Sequence, residues 1–349
     1  MPDHAKRPTL PFQQVFLKKH TTSRQKQLAK LSEVVDFEKF RPILDELCGF
    51  KNSSGRGRRH YDVVQMFRIL VLQNLYGMSD EQMEDEIYEV NSFRVFLGLG
   101  FADSVPDART IWLFRNKLGA EGVRMLFEHF NSMLLESGIS YSKGTIIDSS
   151  FHEAPRQRNS REENSHIKKT GEAPESWSEK KRRHKDTDAS WTKKGGVTYH
   201  GYKNHVAVDE GTKLIRDFRA STASLHDSQI FEELIQEETK EALGDSAYKC
   251  EAKEAALREK GVKALIVEKR RRGQAELTEA QKQKNAAIAA RRSRVEHVFG
   301  AIRHMKGDIV RCIGITRCRI RIGMVNLVYN MLRLCQLSSH AKGGLCTQA

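Results

Sequence analysis

The 349-residue chain contains no long apolar run. Stretches such as Ile69 to Leu72 stop after four residues, far short of the roughly 20 that a membrane helix needs, so a spanning helix is excluded. Met1 to Phe16 holds no apolar core of signal-peptide length; secretion is not expected, and a cytoplasmic, nucleoid-associated protein is. Cysteine is scarce too, with six residues at Cys48, Cys250, Cys312, Cys318, Cys335 and Cys346. None forms a Cys-x-x-Cys pair, and no second Cys or His pair stands at zinc-site spacing from Cys312 and Cys318. Reduced thiols are therefore expected, not a zinc site or a disulfide scaffold. Acidic charge is short as well, with 45 Asp+Glu against 59 Lys+Arg and a net charge of +14. That imbalance points to a polyanionic partner. The 39% hydrophobic content argues against wholesale disorder, and the length leaves room for two or three domains.

What is present divides along the chain. Residues 1–35 read as a basic arm. Residues 36–140 read as helical: Asp62 is placed to cap a helix carrying Val63, Met66, Phe67, Leu70 and Val71, with Gly77 as its stop. Ser79 and Gln82 have the spacing of a capping box, and Asp107 is placed to cap Ile111, Phe114 and Leu118, with Gly119 as the stop. Short helices and tight turns suit a helix-turn-helix DNA-binding array, and they suit a plain helical bundle equally well.

After Lys143 the pattern changes. A β-branched run, Gly144 to Ile147, ends at Asp148, and Tyr202 to Val208 alternates into the hairpin turn Asp209-Glu210-Gly211. Asp227 sits where it would cap a helix through Ile230 and Leu234. Ala242-Leu243-Gly244 ends at Asp245, and Lys282 to Met305 reads as the longest helix. This order predicts an α/β catalytic domain with a mixed sheet over residues 141–337, followed by a tail at 338–349. It is interrupted by a basic insertion, 152–197, with almost no apolar periodicity, expected as loop.

Three acids carry the expected chemistry. Asp148 and Asp245 each end a strand, where groups in open α/β sheets gather in one crevice. Glu296 lies one residue from the apolar stripe Val295, Val298, Phe299 and Ile302 of the long helix, at the rim of its buried face. Hard carboxylates without nearby Cys suit Mg²⁺ or Mn²⁺, and two such ions serve phosphodiester chemistry on a nucleic acid. Each acid also has an ordinary alternative: Asp148 and Asp245 as strand-end turn residues, and Glu296 as the partner of Arg292 four residues earlier.

From about residue 40 to 337 the chain resembles the DDE transposases of bacterial insertion sequences, specifically the insertion-sequence-5 type. The resemblance rests on Ile147-Asp148-Ser149-Ser150, His200-Gly201-Tyr202-Lys203-Asn204-His205, Leu225-His226-Asp227-Ser228, Gly244-Asp245-Ser246-Ala247-Tyr248 and, most specifically, Arg292-Ser293-Arg294-Val295-Glu296-His297-Val298-Phe299. The family's third block runs Tyr, two residues, Arg, three residues, Glu, six residues, Lys. Arg292 and Glu296 match it, whereas Arg303 stands at the Lys position and Ala289 at the Tyr position. The resemblance implies a ribonuclease-H-like core in which Asp148, Asp245 and Glu296 ligate two divalent ions, Mg²⁺ or Mn²⁺. It implies cleavage at terminal inverted repeats, transfer of the freed 3′-OH to target DNA, and a homodimer or larger synaptic complex on double-stranded DNA.

Arg292 and Arg303 share one helix face with Glu296 and are expected at DNA phosphates, as are Lys203 and the run ending in Arg271 and Arg272. Asp227 is favoured as a helix cap over a metal ligand, and His205 as a structural histidine. Trp177 and Trp191 in the insertion would either stack on unpaired bases or anchor the loop to the core. Two competing readings remain at this point: a DNA-binding relative that has lost cleavage and acts as a repressor, and a nuclease of the same fold without strand transfer.

Overall fold

The computed structural model describes residues 21–49, 60–270 and 274–343. Residues 1–20 of the expected basic arm lie outside them, and the rest of it is mainly a helix, α1 (Ser23–Val34). Thr22 and Gln25 close a capping box on α1, and Leu28 and Leu31 are buried. Two leucines three residues apart make a narrow apolar stripe that the surrounding charge hides from a composition-based reading.

Helices α2 (Arg41–Cys48), α3 (Val63–Tyr76), α4 (Asp80–Glu89) and α5 (Asn91–Leu97) follow. Their caps follow the local pattern of the sequence. The Asp62 carboxylate accepts from the Val64 and Gln65 amides, Ser79 and Gln82 form a capping box, and Gly77 ends α3 at φ 63°. Asp107 caps α6 (Ala108–Glu136), but Gly119 does not stop it; at φ 65° it only kinks the helix. The stripe of Leu118 resumes beyond the kink in Val123, Leu126, Phe127 and Phe130, all buried. Burial of each is worth about 1.5–3 kcal/mol, which together outweighs one irregular residue.

The sheet comprises β1 (Gly144–Glu153), β2 (Ser190–Lys194), β3 (Val197–Asp209), β4 (Ile215–Thr222), β5 (Glu241–Gly244) and β6 (Lys263–Ile266). The order is β2-β3-β1-β5-β6, with β4 also paired to β3. β3 runs antiparallel to β1, β2 and β4, whereas β1, β5 and β6 are mutually parallel. The helix α9 (Glu251–Glu259) makes the crossover that a parallel pair requires. β2 takes the first residues of β3 and β4 takes the rest of the same edge, so β4-β3-β1-β5-β6 is a ribonuclease-H-like mixed sheet.

The basic insertion is not the loop expected from its composition. It folds into α7 (Arg161–Thr170), α8 (Glu179–Arg183) and β2. Trp177 is buried, its indole donates to Glu163 at 2.6 Å, and the Lys181 ammonium lies 4.8 Å from its ring. One aromatic anchor with a satisfied N–H thus organises a segment that has little apolar periodicity. Trp191 stays exposed on β2.

Helix α10 (Glu279–His304) packs against β1 and β5 through Val295, Val298 and Ile302. It is not the longest helix, because α6 and α11 (Ile315–Gly343) each have 29 residues. α11 packs on α1, α3, α6 and β4. The helical region and the sheet therefore share one core, with Phe127 and Phe218 edge to face at 4.9 Å and Arg124 paired to Asp217 at 2.6 Å.

Candidate active site

Asp148 lies within β1 and does not end it as expected, because the antiparallel pairing with β3 carries the strand on to Glu153, while Asp245 is the first residue after β5. The parallel register pairs Ile146 with Leu243, and extending it by two residues brings Asp148 level with Asp245 on the neighbouring strand. Such strands lie about 4.8 Å apart. Local hydrogen bonds orient both carboxylates: Asp148 accepts from the Ser149 amide at 2.8 Å, and Asp245 accepts from the Ala247 amide at 2.8 Å. Burial raises the Asp148 carboxyl above its ordinary range, opposed by Arg292 and reinforced by the charge of Asp245.

The opposing cation comes from α10. Arg292 donates to Asp148 at 2.7 Å, while its neighbour Arg291 makes two bonds to Glu210, at 2.7 and 2.6 Å, and one to Glu241 at 2.6 Å. Glu210 belongs to the β3–β4 turn, and Glu241 starts β5. The two arginines therefore clamp α10 to the sheet at two levels. Gly144 permits this, since a Cβ there would drive into Glu210.

Glu296 follows Arg292 by four residues on the same helix face, but it is exposed and does not join the two aspartates. Among the described residues, no three His, Cys, Asp or Glu side chains converge as metal ligands. The nearest charge to Asp148 is instead the Arg292 cation, at 2.7 Å. The Arg292–Glu296 pair considered from the sequence does not form either.

Asp227 differs most from its expected role. The cap of its short helical turn is His226, which accepts from the Ser228 amide. The Asp227 carboxylate instead accepts from Lys203 Nζ at 2.8 Å and Ser149 Oγ at 3.0 Å. Burial alone would raise the Asp227 carboxyl, but Lys203, together with His205 and the Ser149 hydroxyl, holds it below its ordinary range. Lys203, expected at DNA, is buried and also donates to the Leu225 carbonyl at 2.7 Å. Its charge is consumed inside the fold. Tyr248 is buried beside these groups, its hydroxyl has no partner among the described residues, and burial and the charges of Asp148, Asp227 and Asp245 hold it well above its ordinary range. Tyr248 thus marks the floor shared by the three aspartates.

The Lys203–Asp227–Ser149 network escaped sequence reasoning. Period-two alternation placed Lys203 and His205 on one face of β3, but only the pairing of β3 with β1 brings Ser149 opposite His205. His205 is structural, as the sequence favoured: fully buried, 2.8 Å from Ser221 Oγ, and pushed down to about 4 by burial. Arg303 is exposed on α10, 3.4 Å from Asp308. Arg271 and Arg272 lie outside the described residues.

Asp148 and Asp245 offer hard oxygen donors on adjacent strands, and the Arg292 guanidinium shows that a positive charge is accommodated beside Asp148. This donor chemistry fits a hard divalent cation. Residues 141–331, more than half of the chain, match the family model described as "Transposase DDE domain". The chain belongs to the DDE transposase family. Residues 15–117 also match the model described as "Transposase domain (DUF772)". A solved piggyBac transposase synaptic complex with hairpin DNA is similar over 93% of this chain and 77% of that chain, at 12% identity and a TM-score of 0.45. The protein is a DNA transposase, a metal-dependent enzyme that cuts DNA and transfers strands. Among its described residues no helix is long and apolar enough to cross a membrane.

Proposed function

We propose that this transposase is of the insertion-sequence-5 type and works at the terminal inverted repeats of its own element, with Asp148, Asp245 and Glu296 as its acidic triad. The carrying observation is the alignment of Asp148 with Asp245 on parallel strands, with Arg292 of α10 bonded to Asp148 at 2.7 Å. That bond ties the helix bearing Glu296 to the strand bearing Asp148, although Glu296 itself is exposed and stands apart from the aspartates. The three carboxylates would hold two ions, Mg²⁺ or Mn²⁺, which supply activation of the attacking oxygen and stabilisation of the leaving one.

The remaining work falls to the chain. Asp148 and Asp245 are pre-oriented by backbone amides, so little ordering remains on binding. Arg292, once Asp148 is otherwise neutralised, has its fork free for a phosphate of the scissile strand. Arg303, about three turns along the same helix face, and Arg271 and Arg272 contact the backbone. We assign repeat recognition to residues 36–140 as a helix-turn-helix-like region and chemistry to residues 141–337, including the insertion 152–197. Two ends must be held together, so a homodimer or larger synaptic complex is the working form.

The test is cleavage of a labelled duplex carrying the element's terminal repeat, with Mg²⁺, with EDTA and with Asp245→Asn. Cutting at the repeat boundary, lost with EDTA and in the variant, supports the proposal. Wild-type cutting by Asp245→Asn overturns the triad. Repeat binding without cutting in any lane, including with Mn²⁺ and a precleaved end, identifies a repressor-like relative.

A further inference from the structure

A cavity of about 380 Å³ lies between the end of α3, α6, the segment that follows α10, and α11. Its lining carries five cations, Arg115, Lys306, Arg311, Arg317 and Arg321, against two acids, Asp80 and Glu81, a balance of +3. We propose that this cavity is a second DNA contact, a binding site for backbone phosphates away from the acidic site, a proposal that rests on the transposase acting on duplex DNA.

The charge in the cavity is not cancelled internally. Asp80 is consumed by Arg115, with two bonds of 2.7 and 2.8 Å. Arg321 donates to neutral acceptors, the Asn74 side chain and, at 3.1 Å, the Lys306 carbonyl. Arg311 and Arg317 are exposed and have neither ion pair nor hydrogen bond among the described residues. Asn116 adds a buried amide nitrogen with no partner in the same wall. Burial, with repulsion from Arg115 and Arg311, holds Arg321 down to about 10. Such a cluster is disfavoured by itself and relieved by an anion. Arginine forks match the two free oxygens of a phosphodiester.

The connection to the acidic site argues for duplex DNA over a free anion. Ile309, in the cavity lining, bridges to Glu153 at the end of β1, the strand that carries Asp148. Five residues of strand separate Asp148 from Glu153, roughly 17 Å. At 3.4 Å per base pair that stretch of strand corresponds to about five base pairs, a span within reach of one duplex. Trp112 and Ile309 are exposed in the same lining, where a phosphate-only pocket has no use for apolar surface and a sugar-phosphate backbone does.

The experiment measures affinity for a fluorescent terminal-repeat duplex across a salt series. The double variant Arg311→Ala/Arg317→Ala is expected to reduce the log–log salt slope by about 1.8, at about 0.9 per phosphate contact. Arg311→Lys/Arg317→Lys is expected to retain most of the slope, and a control, Lys240→Ala/Lys260→Ala, on the opposite end of the sheet from the acids, to leave it nearly unchanged. Inorganic phosphate is titrated in parallel by thermal melting. If the arginine pair changes the slope no more than the lysine control, the proposal falls. If phosphate stabilises the wild type but not the Ala pair while the slope is unaltered, the cavity is a free-anion site and the DNA assignment falls. If the slope difference persists in a protein that never cuts DNA, the catalytic reading fails and the cavity assignment stands.

Discussion

Arg292 and Asp148 lie 144 positions apart in sequence and form an ion pair of 2.7 Å, one residue beyond the Arg291 clamp that fastens α10 to the sheet. The bond joins the helix carrying Glu296 to the strand carrying the first aspartate. Replacing Arg292 with Ala removes the docking bond and, on the proposed function, a cation for the scissile phosphate. Single-turnover strand cutting is expected to fall by about 10²–10³. Arg292→Lys, which keeps the charge but loses the planar fork, should recover only part. Repeat affinity should change much less than rate in both. Wild-type cutting by Arg292→Ala would show that the pair has no catalytic part.

Lys203 and Asp227 form a pair whose side chains are only 8% and 14% exposed. Lys203→Met leaves Asp227 as an uncompensated buried charge, and a loss of about 3–5 kcal/mol in unfolding free energy is expected from urea denaturation. Lys203→Met/Asp227→Leu should recover most of that loss, because the double change buries no charge. A double variant as unstable as the single one would mean that Lys203 matters through packing alone.

His152 is fully buried on β1, and burial together with the positive charge of Arg321 pushes its imidazole down to about 3. An unfolded imidazole titrates near 6.5. The unfolded chain therefore binds the extra proton first, so the stability from a neutral His152 is present above about pH 6.5 and is lost as pH falls toward 3. His205, depressed to about 4, acts in the same direction. The urea midpoint should drop between about pH 7.5 and pH 5, and His152→Leu should show a smaller drop, retaining the shares of His205 and of His200, which burial also holds down. Equal drops in both proteins would remove His152 as a source of acid sensitivity.

Gly77 and Gly49 share φ +63°, but their surroundings differ. A Cβ on Gly77 would come within 2.8 Å of the Met305 carbonyl oxygen and 2.9 Å of Lys306 Cβ, whereas a Cβ on Gly49 meets nothing within 4 Å. Gly49→Ala should cost about 1 kcal/mol, the left-handed backbone strain alone. Gly77→Ala should cost about 2–3 kcal/mol, because the end of α10 must also shift. Thermal melting compares the two, and equal losses would show that α3 and the segment after α10 separate freely.

Much of this molecule is written locally. The caps Asp62, Ser79 and Asp107 follow from side chains that reach amides two or three residues away. The strand that stops before Asp245, and the stripe Val295, Val298 and Ile302, follow from periods of 2.0 and 3.6 residues that need no knowledge of the rest of the chain, whereas Asp148 falls mid-strand because β3 extends β1 to Glu153. The sequence alone thus determined the helical first part and the mixed sheet. Gly119 shows where the local rule fails, since a glycine stop is overridden by an apolar stripe that has a partner, α11, almost 200 residues away. Long-range pairing decided the rest. Lys203 became structural because β3 lies beside β4 and the segment after β4 returns Leu225 and Asp227 to its ammonium; Trp177 became an anchor because Glu163 comes back to meet its N–H; and Arg292 found Asp148 in preference to Glu296. A charged side chain has the same helix or strand propensity whatever stands opposite it, so its role depends on neighbours that only the assembled fold supplies.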